Sequence, residues 1–279
     1  MSDGPAIRRP GTPEEAVSML ASGGPRAVYV GGGTILPVLP EGETEVLVDL
    51  TGAGLSGVRA EGGGLVVGSM TTMLELCEDR ASRAFVGGVL SDMARGIGTH
   101  TVRGRATMGG NIAGWPYPTD GPVALMALRA ELVLLASEGP RTVRIEEFYS
   151  SGAPDLRAGE LIVAVLFPRP SEGLRGGFAR FGRPRPGAAA VDCCCAARLV
   201  SGRIAEARVV MNTAAGVPAP ASEVEAMLVG ARPTAGLLSD AARRAAALAR
   251  DAGAPPERAG ALMSVVRDAV NRALDAGES

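Results

Sequence analysis

The segment Ala27-Val28-Tyr29-Val30-Gly31-Gly32-Gly33-Thr34 runs a short apolar strand directly into a glycine turn. Backbone N–H groups with no side chain in front of them form a surface suited to a diphosphate. The dinucleotide fingerprint Gly-x-Gly-x-x-Gly is absent. Its third glycine position holds Leu36, and Pro37 disturbs the helix such a fold requires. A second segment, Thr107-Met108-Gly109-Gly110-Asn111, repeats the chemistry: a glycine pair beside threonine, preceded by Arg103 and Arg105. Each segment alone reads equally well as a tight turn. The two together favour a phosphate-bearing ligand held by loops.

Outward from these segments the chain alternates helix and strand. Thr12-Pro13-Glu14-Glu15 reads as an N-cap, a first-turn proline and a capping-box glutamate, opening a helix through Leu20. Val46 to Asp49 and Leu65 to Val67 read as strands, and Thr72-x-x-Glu75 opens a helix through about Asp79. From Gly96 to Pro122 periodicity gives way to a Gly/Thr/Pro-rich passage, which predicts a long connection without regular structure, usually a functional one. A short helix through Leu128, the strand Glu131 to Ala136 and the strand Glu160 to Phe167 follow. Pro168-Arg169-Pro170 ends that strand and places a domain boundary at about residue 170. Strands near Phe178 to Phe181, Val191 to Leu199 and Arg203 to Met211 then precede an Ala-rich, three-helix tail from Ser222. This is α+β order.

With 279 residues, 46% of them apolar, the chain has ample material for a buried core, and its 39 glycines exceed the roughly 20 of average usage. The 28 basic and 30 acidic residues form no long run of one sign, so the footprint of a nucleic-acid binder is missing. All 28 basic residues are arginine, which excludes Schiff-base, pyridoxal-phosphate and P-loop lysines. The 14 uncharged residues from Ala27 to Pro40 fall short of the roughly 18 a membrane span needs, and Met1 to Pro10 lacks a signal-peptide apolar core. A cytoplasmic chain is expected. Cys77 and the consecutive Cys193, Cys194 and Cys195 then read as reduced thiols, and on a strand the trio points to alternate faces, a poor metal site. No metal site and no iron–sulfur cluster is expected in this chain.

His100, the single histidine, has no Gly-x-Ser-x-Gly elbow or partner pattern beside it and reads as a loop residue, so no catalytic residue is assigned. Asp120, after Trp115-Pro116-Tyr117-Pro118-Thr119, reads as a helix cap or as an acceptor for a sugar hydroxyl. Trp115 and Tyr117 suit either loop packing or stacking on a planar ring.

Val30-Gly31-Gly32-Gly33-Thr34, Val48-Asp49-Leu50, Val67-Gly68-Ser69-Met70-Thr71-Thr72, Val102-Arg103 and Thr107-Met108-Gly109-Gly110-Asn111-Ile112-Ala113 with Asp120 resemble, in this order, the FAD-binding medium subunits of the molybdenum hydroxylases. The resemblance to this carbon monoxide dehydrogenase and xanthine dehydrogenase family covers nearly the whole chain. It implies a vanillyl-alcohol-oxidase-type FAD-binding domain over residues 1–170, made of two α+β subdomains (about 1–55 and 56–170). A C-terminal α+β domain with a three-stranded antiparallel sheet and helices is implied over 171–279.

The resemblance further implies noncovalent FAD held by Val30, Gly31, Gly32, Gly33, Thr34, Ile35, Ser69, Thr107, Gly109, Gly110, Asn111, Ala113, Gly114, Asp120 and Arg180, both glycine segments meeting the pyrophosphate. It implies an electron-transfer role: electrons arrive from the [2Fe-2S] clusters of an iron–sulfur small subunit, beside a molybdopterin large subunit, and leave to a small-molecule or NAD acceptor. A stand-alone flavoenzyme and a flavin-free scaffold subunit are the alternative readings. The chain departs from the family's usual Ile-Arg-Asn-x-Gly-Thr, which here reads Val102-Arg103-Gly104-Arg105-Ala106-Thr107, and carries Asn212-Thr213 in place of a late Gly-Gly turn.

Overall fold

A computed structural model of the chain describes residues 4–34, 44–114, 119–182, 191–212 and 218–275. The first layer comprises β1 (Ala6–Arg8), α1 (Pro13–Ser22), β2 (Ala27–Val30) and β3 (Val46–Asp49), its strands forming a parallel sheet of order β1-β3-β2. The Thr12 hydroxyl caps α1 by accepting the Glu15 N–H at 3.1 Å, whereas the Glu15 carboxylate accepts from Gly11 instead of closing the box on Thr12. Ala16 and Val17 of α1 are buried with Val46, Val48 and Leu50 in a small core of their own.

The second layer follows as β4 (Val58–Glu61), β5 (Gly64–Gly68), α2 (Met73–Glu78), α3 (Arg80–Ala84), α4 (Val89–Gly96), α5 (His100–Arg103), α6 (Met108–Ala113), α7 (Gly121–Ala127), β6 (Glu131–Ala136), β7 (Gly139–Arg144), α8 (Ile145–Phe148) and β8 (Leu161–Phe167). Its five strands pair antiparallel in the order β4-β5-β8-β6-β7. The Thr72–Glu75 capping box closes completely, both halves of it bonded. β8 is apolar throughout because both its faces are covered: Leu161 and Val163 join the first layer's core, whereas Ile162 and Val165 join the main core under the helices.

The stretch from Gly96 to Pro122 is not the irregular connection its sequence predicts. It carries α5, α6 and the start of α7, each one or two turns long. Thr99 caps α5 through the Val102 N–H, and Thr107 caps α6 through the Gly110 N–H. Helices this short hold too few residues to display a 3.6-residue apolar period, and packing rather than propensity sustains them.

The third layer comprises β9 (Arg175–Phe181), β10 (Val191–Val200), β11 (Arg203–Asn212), β12 (Pro218–Pro220), α9 (Ser222–Leu228), α10 (Ala235–Asp251) and α11 (Pro256–Asp275). Its antiparallel sheet has the order β12-β11-β10-β9, so the three expected strands gain a short fourth at the edge. Cys193 and Cys195 face the core beneath α10 and α11, whereas Cys194 faces the main core of the second layer, as strand alternation requires. All four cysteines are free and buried, and burial pushes the Cys195 thiol up to about 12. No helix among the described residues is long and apolar enough to cross a membrane.

Candidate functional site

A cavity of 460 Å³ opens where the first layer meets the end of β5 and the start of β8, within the range of about 300–1,000 Å³ typical of small-molecule sites. Six residues expected from the sequence line it: Gly31, Ser69, Thr107, Gly109, Gly110 and Ala113. The rest of the wall is mostly apolar, with Leu20, Val28, Leu50, Met70, Leu161 and Ile162, a lining suited to a flat ring. The Ser69 hydroxyl is buried and has no hydrogen-bond partner among the described residues, so it is available to a ligand.

The two glycine segments, some 70 residues apart in the chain, touch here. A Cβ on Gly32 would stand 1.5 Å from the carbonyl oxygen of Arg105, and a Cβ on Gly31 would stand 3.0 Å from Thr107 Oγ1. Arg105 Nε donates to the Gly32 carbonyl at 3.1 Å, tying the segments together. Only glycine allows this approach at position 32, since a side chain would drive the backbones apart.

The second segment does not offer the bare N–H groups its sequence suggests. Thr107 caps α6, and the first-turn donors are already bonded: Met108 N–H to the Thr71 carbonyl, Gly109 N–H to Ser69, Gly110 N–H to Thr107 Oγ1 and Asn111 N–H to the Thr107 carbonyl. No comparable bond from the N–H of Gly32, Gly33 or Thr34 is present among the described residues. The unbonded N–H groups therefore lie in the first segment, whose Gly33 adopts φ +69°. The second segment supplies the wall.

Asn111 Oδ1 accepts the Gly121 N–H at 2.9 Å. Gly114 ends α6, Val30 ends β2, and Ile35, Trp115 and Tyr117 lie outside the described residues. Asp120 occupies the N-cap position of α7 yet makes no capping bond. It is 6% exposed, and its Oδ2 pairs with the Arg180 guanidinium of β9 at 3.2 Å. Arg180 also donates to the Gly96 carbonyl. These two residues form a second polar point that does not line the cavity.

Residues 4–170 match the family described as "FAD binding domain in molybdopterin dehydrogenase", and residues 178–273 match the "CO dehydrogenase flavoprotein C-terminal domain". The chain belongs to this FAD-binding family. It is 28% identical to the carbon monoxide dehydrogenase medium chain of Afipia carboxidovorans, over 80% of this chain and 78% of that one. It is 30% identical to a putative xanthine dehydrogenase FAD-binding subunit of Escherichia coli K12, over 78% and 77% of the two chains. The solved carbon monoxide dehydrogenase of Hydrogenophaga pseudoflava superposes with a TM-score of 0.86 at 27% identity, covering 99% of each chain. The protein is thus an FAD-dependent oxidoreductase subunit of the molybdenum hydroxylase type.

Residues of this FAD-binding chain that the sequence did not single out complete the cavity. Glu160, a wall residue, is clamped by Arg141 through Nε at 2.6 Å and Nη2 at 2.8 Å and accepts the Arg157 N–H at 2.8 Å. The Arg141 hydrogen bond holds its carboxyl below the usual range, so it is a fixed anion, not a proton donor. The Tyr29 hydroxyl donates to the Gly159 carbonyl at 3.2 Å, and burial pushes its pKa to about 12. Immediately before β8 and inside the apolar β2, Glu160 and Tyr29 carry no local sequence signal. Among the described residues no cluster of His, Cys, Asp and Glu could hold a metal ion.

Proposed function

We propose that this chain carries FAD noncovalently as the electron-transfer subunit of a molybdenum hydroxylase-type complex in the cytoplasm. Its electrons arrive from an iron–sulfur small subunit beside a molybdopterin large subunit and leave to a small-molecule or NAD acceptor. The meeting of Gly31–Thr34 with Thr107–Gly110 at one cavity, in a chain of this family, is the observation that carries the reading. FAD supplies the step between one-electron centres and a two-electron acceptor. The chain's own residues bind and orient it. The N–H groups of Gly32, Gly33 and Thr34, with Ile35 following, meet the diphosphate, and the Ser69 hydroxyl adds a donor. Val30, Gly31, Thr107, Gly109, Gly110, Ala113 and Gly114 shape the wall, Asn111 acting through the Gly121 N–H. Asp120 and Arg180 face the flavin end. The flavin-binding unit is residues 1–170, with subdomains of about 1–55 and 56–170, and the C-terminal unit is 171–279.

Purification of the chain, with and without co-expressed neighbours, tests the reading. Acid precipitation should release a yellow chromophore that phosphodiesterase converts to FMN. The isolated chain should accept electrons from artificial donors without hydroxylating a substrate, and iron–sulfur and molybdenum subunits should copurify. A colourless full-length chain that FAD does not reconstitute supports the scaffold alternative. Substrate turnover by the metal-free single chain supports the stand-alone flavoenzyme. Asp120→Ala should cost about 1.5–3 kcal/mol of FAD affinity, the range for a hydrogen bond to a charged group.

A further inference from the structure

The register of the third-layer sheet places Arg180 of β9 opposite Asp192 of β10. On β11, Asn212 follows Met211, the partner of Cys193, and so comes level with Asp192. All three lie on the face turned toward the second layer, since Phe178, Cys194 and Val210, each two residues away along its strand, pack into that layer's core. Asp192 is fully buried, and neither of its carboxyl oxygens accepts a hydrogen bond from an N–H among the described residues. Among the described residues, the carboxyl group of Asp120 at the head of α7 is a polar neighbour that acts on it. The charged groups around Asp192 are Asp120 from α7, Arg180 from β9 and Arg258 from α11. Asn212 adds a buried neutral amide whose nitrogen and oxygen have no partner among the described residues.

A carboxylate without donors in a dry interior is unstable as an anion, and two carboxyl groups in contact do not both ionise. Burial first, then the Asp120 charge, push the Asp192 carboxyl upward. Arg180 pairs with Asp120. A proton on Asp192 would let its O–H donate to Asp120. An apolar side chain would fill position 192 without the desolvation cost, so the sheet itself does not require this acid.

We propose that Asp192 is a positioning residue of the flavin site: it holds a proton against Asp120, fixing the carboxylate paired with Arg180 in the orientation and single charge with which it meets the FAD. This rests on the reading that Asp120 and Arg180 face the cofactor. The free Asp120 lone pairs then point to the ligand while one is occupied by Asp192 and one by Arg180.

The full-length, FAD-loaded chain provides the test. Its infrared spectrum should show the C=O stretch of a buried protonated carboxyl group, shifted in D2O and lost in Asp192→Asn. The amide keeps a donor at the same position, so Asp192→Asn should keep wild-type FAD affinity, whereas Asp192→Ala should weaken it about tenfold, the worth of one hydrogen bond to a charged group. As pH rises through the Asp192 titration the wild type gains a negative charge beside the cofactor and should bind FAD more weakly, and Asp192→Asn should show no such alkaline limb. Should Asp192→Ala not fold, the infrared band and the alkaline limb decide. Absence of the band, or equal damage from Asn and Ala, overturns the proposal while leaving the flavin site standing. Unchanged FAD affinity in Asp120→Ala overturns both.

Discussion

Gly31–Thr34 and Thr107–Asn111 each set a glycine pair beside a threonine, and the fold puts them to different uses. In the first, the glycines leave donors unbonded and let another backbone come within contact distance at Gly32. In the second, the threonine is a helix cap, and Gly109 lets α6 pack against the end of β5, where a Cβ would stand 2.9 Å from the Ser69 Cβ and 3.1 Å from its carbonyl oxygen. Similar composition thus yields a turn with unbonded donors in one place and a packed wall in the other. What separates them is the next structural step. Gly31–Thr34 leaves a strand end, whereas Thr107 starts a helix whose first N–H groups already have acceptors in Ser69 and Thr71.

Gly32→Ala should produce the largest effect, because its Cβ would overlap backbone rather than a movable side chain. A stability loss of at least about 3 kcal/mol is expected, beyond ordinary overpacking, together with loss of FAD. Wild-type melting and flavin content in this variant would dissolve the contact on which the comparison stands. Gly109→Ala should follow, costing about 1–3 kcal/mol in a denaturant titration as α6 is pushed off β5, with FAD affinity falling only as the wall moves.

Gly110→Ala sharpens the contrast. Its Cβ would meet only Thr107 Oγ1, at 2.9 Å. The helix-propensity gain of about 1 kcal/mol offsets a disturbed cap of similar worth, so stability should hold while FAD affinity drops. Unaltered affinity would remove Gly110 from the binding wall. Thr107→Ala should cost about 1 kcal/mol as a lost cap, read by thermal unfolding. Arg105→Ala, which removes one exposed bond to the Gly32 carbonyl, should cost about 0.5–1 kcal/mol and should be visible only as a small shift in the melting temperature.

The long strands were legible because they are buried. β8 is covered on both faces and reads as a continuous apolar run, β10 is buried over Val191 to Ala197, and β6 appears with its observed limits. The four strands that the pattern does not reveal, β1, β4, β7 and β12, all lie at sheet edges. An edge strand with most of its residues exposed, such as β4, needs no apolar alternation to be stable once a neighbour offers its backbone. The short helices between Gly96 and Pro122 escape for a related reason. Their caps, Thr99 and Thr107, are visible as residues, but a cap before four to six helical residues resembles any threonine in a loop.

The sequence by itself determined the α+β class, the glycine segments, the capping threonines Thr12 and Thr72, and the alternate facing of Cys193, Cys194 and Cys195, because each depends on neighbours within a few residues. The ordered motif series carried the family resemblance. Only the tertiary structure decided which glycine segment keeps its donors free, that Glu160 and Tyr29 complete the cavity, and that Asp120 pairs with Arg180 instead of capping α7. Those outcomes depend on hydrogen-bond partners 19 to 60 residues away: Ser69 for Gly109, Arg180 for Asp120, Arg141 for Glu160. A local pattern states which groups a residue offers, and the acceptor or charge brought opposite by the fold decides which of them remain for a ligand.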